Sequence, residues 1–186
     1  MAVEIAKRCF NVAEYYRMAE AGILTDDDHV ELIDGEIVAM SPVGSRHAAC
    51  VKRLNRILGR RVGDLVVVGV QDPIGLDDYS EPEPDISLLR PRADFYSEAH
   101  PIPSDVLMII EVADSSDSYD REFKVPLYAR VGIPEIWVAS LLTNTVHQLA
   151  HPANGRYQTH NEFKRGESIA SVALPDLTLT VDEILG

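Results

Sequence analysis

Apolar and polar positions alternate along this chain in two distinct periods, and each period predicts an element. From Val30 to Met40 the pattern has the two-residue period of a strand pair, broken in the middle by Asp34-Gly35. Asp-Gly between two apolar strands is a strong signal for a tight hairpin turn. From Ser45 to Arg61 the period lengthens, and Ala48, Val51, Leu54, Ile57 and Leu58 form one apolar stripe of a helix. Leu65 to Gln71 and Ile86 to Leu89 read as strands, the second opened by Pro84-Asp85. Val106 to Val112 is apolar throughout except for Glu111, which suits a central strand buried on both faces.

The remaining segments fit between these. Asn11 caps a helix over Val12 to Ala21, with Glu14 completing a capping box and Gly22 as the stop. Asp72 to Glu83 is a loop rich in proline, glycine and acid, and Pro91 to Asp105 is a second loop, read as a mobile flap. A helix over Tyr119 to Arg130, capped by Asp117 or Ser118, holds Pro126, which implies a kink or a late start. Glu135 to Ala139 is the next strand, parallel to the central one through a right-handed crossover. Asn144–Leu149 and Tyr157–Phe163 form an antiparallel pair, and Leu177 to Leu185 is a short strand followed by a helical turn near Asp182. The sum is an α/β fold over residues 1–186 as one domain, since no composition shift marks a boundary.

Charge narrows the chemistry. The 186 residues carry a formal net charge of −13, which argues against a protein that coats nucleic acid through a broad basic surface. It leaves room for an enzyme that touches few phosphates, and it favours a divalent cation. The most basic segment is the second helix, where Lys52, Arg53, Arg56 and Arg60 either grip a phosphate backbone or form a solvated face. Cys9 and Cys50 lack any CxxC partner and read as reduced thiols. The N-terminus does not read as a signal peptide, and no apolar run reaches the roughly 20 residues of a membrane span, so the expected location is cytoplasmic.

Glu111 carries most of the information. A carboxylate in so apolar a run calls for a cation, because burying it unpaired is costly. Asp85 opens the strand before it, 26 residues upstream. If the two strands are neighbours, both acids point into one cleft. With the Val112 carbonyl they make an oxygen site of the kind that Mg²⁺ (or Mn²⁺) takes. Lys124 would then hold a phosphate oxygen or orient water. Plainer readings stand beside this one: Asp85 as a turn cap, Glu111 paired with a buried base, and Lys124 bridged to Asp120. Gln71 ends its strand near this cleft, and Tyr128 either packs over Lys124 or fills the core. Trp137 reads as core. His100, His147, His151 and His160 read as solvent-facing.

These residues carry a resemblance. Pro84-Asp85 and Glu111-x-Ala113 look like the PD-(D/E)XK signature of the restriction-endonuclease-like superfamily. The flanking segments Glu31–Val38, Met40-Ser41-Pro42, Glu81–Ile86, Ile110–Ser116, Tyr119–Lys124 and Leu127–Trp137 resemble one bacterial family in it, the Uma-two family of restriction endonucleases. The resemblance implies a mixed central sheet flanked by helices. It implies a Mg²⁺-dependent endonuclease acting on DNA, with Asp85 and Glu111 as metal-binding acids. Ala113 occupies the usual lysine position, and the lysine is expected to have moved to Lys124. Glu31 resembles an additional acid, and His47 is expected to approach the cleft. Two alternatives remain: a non-catalytic binding or assembly module, and a hydrolase of a nucleotide or RNA. By analogy with the fold a homodimer is expected, with Val146, Leu149 and Tyr157 offered as interface.

Overall fold

The computed structural model describes residues 7–114 and 123–186. The first helix, α1 (Val12–Glu20), starts where its capping box dictates: the Glu14 amide donates to the Asn11 side chain at 2.8 Å, and the Asn11 amide to the Glu14 carboxylate at 3.2 Å. The hairpin follows as β1 (Val30–Ile33) and β2 (Glu36–Ala39), with Asp34 and Gly35 both at positive φ, 48° and 79°. Two positive φ values define the tight turn that matches the twist of paired strands. The helix α2 spans Ser45–Arg61 and buries Cys50, Val51, Leu54 and Leu58.

Among the described residues, six strands form the central sheet: β3 (Val67–Gly69), β4 (Ile86–Leu89), β5 (Val106–Ala113), β6 (Glu135–Ser140), β7 (Thr145–Ala153) and β8 (Arg156–Lys164), adjacent in that order. Only β5 and β6 pair in parallel, with the helix α3 (Val125–Val131) between them in sequence. All other pairs in this sheet are antiparallel. A small antiparallel pair, β9 (Ser168–Ala170) and β10 (Thr178–Thr180), leads into the last helix, α4 (Val181–Leu185).

Strand alternation sorts the core into two layers. Ile86, Leu88, Met108, Ile110, Val112 and Trp137 face α2 and α4. Leu89, Val106, Ile109, Ala113, Ile136 and Val138 face α3 and the buried hairpin residue Ile33. By the same alternation Glu111 belongs to the α3 side. The mixed sheet flanked by helices, with an N-terminal helix and hairpin and a β-rich tail, is the architecture expected from the sequence.

Several expectations change. β3 begins at Val67, because residues 63–65 form a 3₁₀ turn that leaves Leu65 79% exposed. The loop from Pro91 to Asp105 is no flap over the acids. It joins the end of β4 to the start of β5, whereas Asp85 precedes β4 and Glu111 lies near the end of β5. This loop is tied down by the Arg92–Asp94 ion pair and by Tyr96 donating to the Arg90 carbonyl. Helix α3 starts at Val125, with Pro126 in its first turn, where a missing N–H costs nothing. The expected start near Tyr119, its caps and the Lys124–Asp120 bridge fall outside the described residues.

His147 is buried, not solvent-facing, and its ring contacts Thr145 and His160. Val146 is inside the core, Leu149 and Tyr157 pack against it, and the Tyr157 hydroxyl donates to the Ile133 carbonyl. Val146 is therefore out of reach of an interface, while Leu149 and Tyr157 remain partly exposed. Arg53 also turns inward, donating to the Leu185 carbonyl, while Lys52, Arg56 and Arg60 stay exposed. Cys9 and Cys50 are unpaired. Among the described residues, no helix is long and apolar enough to cross a membrane.

Candidate active site

The ladder between β4 and β5 ends at the pair Ile86–Ile110, and just beyond it side chains replace backbone partners. The Asp85 amide donates to Glu111 Oε2 at 3.2 Å. The Val112 amide donates to Asp85 Oδ2 at 2.9 Å. In an extended strand the N–H and C=O of one residue point to the same side. The Val112 carbonyl therefore faces the gap that holds Asp85, and the next carbonyl, that of Ala113, turns the other way to accept from Leu141.

Four elements bring further groups to this gap. From α2, His47 Nε2 lies 2.9 Å from Asp85 Oδ2. From the end of β3, Gln71 Nε2 donates to Asp85 Oδ1 at 3.2 Å. From the turn before α3, Lys124 Nζ lies 3.0 Å from Glu31 Oε2 and 3.8 Å from Glu111 Oε1. Glu31 itself comes from β1 and also accepts the Glu83 amide at 3.2 Å. Tyr128, one turn along α3, donates its hydroxyl to Glu111 Oε1 at 2.8 Å. Glu31 and Glu111 are each 2% exposed and Lys124 6%, so these charges meet away from bulk water.

The result is a cleft of about 890 Å³ between the sheet, the hairpin and the start of α2. That volume is within the range of roughly 300–1,000 Å³ usual for ligand sites. Among the described residues that line it, Glu31, Glu83, Asp85, Glu111 and Asp114 face a single lysine, Lys124, with His29 and His47 nearby. Such a negative excess raises the local concentration of cations. Burial, and then the Glu31 carboxylate, push the Glu83 carboxyl above the usual carboxylate range, while Lys124 pulls it the other way.

Asp85, Glu111, Lys124, Glu31, His47 and Val112 thus all meet in one place. Gln71 joins them, and Tyr128 touches Glu111 rather than filling the core alone. Glu83 and Asp114 were not singled out from the sequence. Glu83 had a signal: in the extended run Pro82-Glu83-Pro84-Asp85, side chains two apart share a side.

Among the described residues no three His, Cys, Asp or Glu side chains are gathered to hold an ion by themselves. A hard cation needs less, since Mg²⁺ is commonly held by one or two carboxylates and keeps several waters. Asp85, Glu111 and the Val112 carbonyl supply oxygen only, and they fit that requirement.

A family model described as "Putative restriction endonuclease", Uma2, matches residues 12–182. The chain belongs to the Uma2 family. The crystal structure of a putative nuclease belonging to DUF820, from Anabaena variabilis ATCC 29413, has a similar fold, with a TM-score of 0.73. The two share 16% identity over 95% of this chain and 97% of the other, which speaks to the Uma2 chain's fold alone. Among curated proteins no sequence matches.

Proposed function

We propose that this Uma2 protein is a divalent-metal-dependent endonuclease that hydrolyses phosphodiester bonds of DNA. One observation carries the reading: Asp85 and Glu111 share a cleft with Lys124, and the Asp85 amide rests on the Glu111 carboxylate. Asp85, Glu111 and the Val112 carbonyl would hold Mg²⁺, or Mn²⁺ in its place. Such a cation, when bound, lowers the pKa of water and stabilises the charge that builds on phosphorus.

The protein groups divide the remaining work. Lys124, an ammonium held by Glu31, orients the attacking water or grips a phosphate oxygen. His47 and the Val112 amide fix Asp85 through Oδ2. Tyr128 fixes Glu111 through Oε1. In the hydrolysis, a water oxygen forms the new P–O bond, one ester P–O bond breaks, and the departing oxygen leaves as an alcohol.

The test is cleavage of plasmid and single-stranded DNA by the pure protein with Mg²⁺ or Mn²⁺. The wild type should cut, and Asp85→Asn and Glu111→Gln should each lose at least about 100-fold in rate, a typical cost of removing a group that stabilises developing charge. Intact DNA with either metal would overturn the reading. A second reading, a non-catalytic relative, draws on Lys124 lying closer to Glu31 than to Glu111. It is favoured if no divalent cation binds at Asp85 and Glu111 and neither DNA, RNA nor nucleotides are hydrolysed, and a cation bound there and lost in Glu111→Ala would count against it.

A further inference from the structure

We propose that Gln71 is a positioning residue that selects which oxygen of Asp85 is presented to the cation, an inference that rests on the metal reading of the cleft. The pairing of β3 with β4, Val67 with Leu89 through Gly69 with Ser87, extrapolates to Gln71 opposite Asp85. The Gln71 amide does donate to the Asp85 carbonyl at 3.2 Å, and its side-chain amide donates to Asp85 Oδ1 at the same distance. Gln71 therefore grips Asp85 at both main chain and side chain.

The backbone is bent to achieve this. Gln71 has φ of 55°, in the left-handed region. Asparagine, aspartate and glycine adopt that region far more readily than glutamine does. The side chain is exposed, so burial does not compensate. Backbone strain of this kind clusters at functional sites, and Gln71 lines the cleft. Asp72 ties the same turn, accepting the Val70 amide at 3.2 Å.

The consequence follows from counting lone pairs. A carboxylate offers about four acceptor positions, two on each oxygen. Asp85 Oδ2 receives both the Val112 amide and His47 Nε2, each at 2.9 Å, which fills it. Among the described residues Oδ1 receives Gln71 alone, so one position remains there. Gln71 thus sets the direction in which Oδ1 presents its second lone pair, and Asp85 meets the cation through that one oxygen.

The test needs no turnover. Mn²⁺ binding by titration calorimetry and urea unfolding in EDTA are measured for wild type, Gln71→Gly and Gln71→Asn. Both replacements tolerate the left-handed backbone. Glycine lacks the side-chain amide and asparagine is one carbon too short for the same reach. Loss of a partner that orients a ligand typically weakens metal binding about 10–100-fold. Both variants should show that loss while unfolding at the wild-type urea concentration or above it. Mn²⁺ affinity within twofold of wild type, or tighter, would overturn the role of Gln71, whether or not stability falls. Failure of the wild type to bind Mn²⁺ would overturn the metal reading itself and this inference with it.

Discussion

Lys124→Met is the substitution whose cost follows most directly from the geometry. The ammonium lies 3.0 Å from one carboxylate and 3.8 Å from another, and both acids are almost fully buried. At 4 Å and an effective dielectric near 20, two unit charges attract by about 4 kcal/mol. Desolvation of the ammonium offsets part of that gain, so the informative quantity is the loss when one partner is removed, about 3–5 kcal/mol for a buried pair. Glu31 keeps the Glu83 amide, and Glu111 keeps the Tyr128 hydroxyl and the Asp85 amide. Those contacts place the expected loss near the lower end, about 3 kcal/mol. Urea unfolding in EDTA measures it directly. A divalent cation at 100 times its dissociation constant adds about 2.7 kcal/mol to any chain that binds it only when folded. Mn²⁺ should narrow the gap between variant and wild type, because it supplies positive charge to acids that have lost theirs. A loss below about 1 kcal/mol in EDTA would refute the reasoning.

Three further outcomes are expected. Glu135 is fully buried and accepts from Trp137 Nε1, Gln148 Nε2, Ser171 Oγ and the amides of Val172 and Ala173. Glu135→Ala should cost about 4 kcal/mol in urea unfolding, since hydrogen bonds to a charged group contribute about 1.5–3 kcal/mol each and do not add fully; a cost under about 1.5 would contradict this. Burial pushes the Cys50 thiol up to about 11, and its sulfur donates to the Ile184 carbonyl. Iodoacetamide at pH 8 should therefore label Cys9 alone in the native protein and both cysteines in urea, and native labelling of Cys50 would count against the packing of α4 on α2. Asn11→Ala removes the cap of α1 and should cost about 1 kcal/mol, seen as faster amide exchange over residues 12–20; unchanged exchange there would contradict it.

Much of the fold was legible because local chemistry and burial agree. Asp34-Gly35 marks a turn that needs two positive φ values, and few other residue pairs supply them. The limits of α2 match the basic and apolar periodicity because Gly44 precedes it and its polar face meets water. Glu111 stood out because one acid interrupts an apolar strand. Other features depended on tertiary geometry. The run from Leu65 to Val70 is apolar throughout, and nothing in it marks where the strand begins. His147 is buried because β8 and its own ring partners cover it, which its scattered position among other histidines does not reveal. Glu135 was read only as the start of a strand, since its five donors come from three separate segments. The flap reading of Pro91–Asp105 failed on connectivity: between antiparallel neighbours, the connection lies at the opposite end from Asp85 and Glu111.

The central claim is that Asp85 and Glu111 share one divalent cation. A crystal soaked in Mn²⁺, with anomalous scattering recorded at the manganese edge, tests it most directly. The account predicts a single strong peak about 2.1–2.3 Å from an oxygen of each carboxylate and from the Val112 carbonyl, with Asp85 bound through Oδ1. A peak elsewhere, or Asp85 and Glu111 turned away from a saturated cleft, would contradict it.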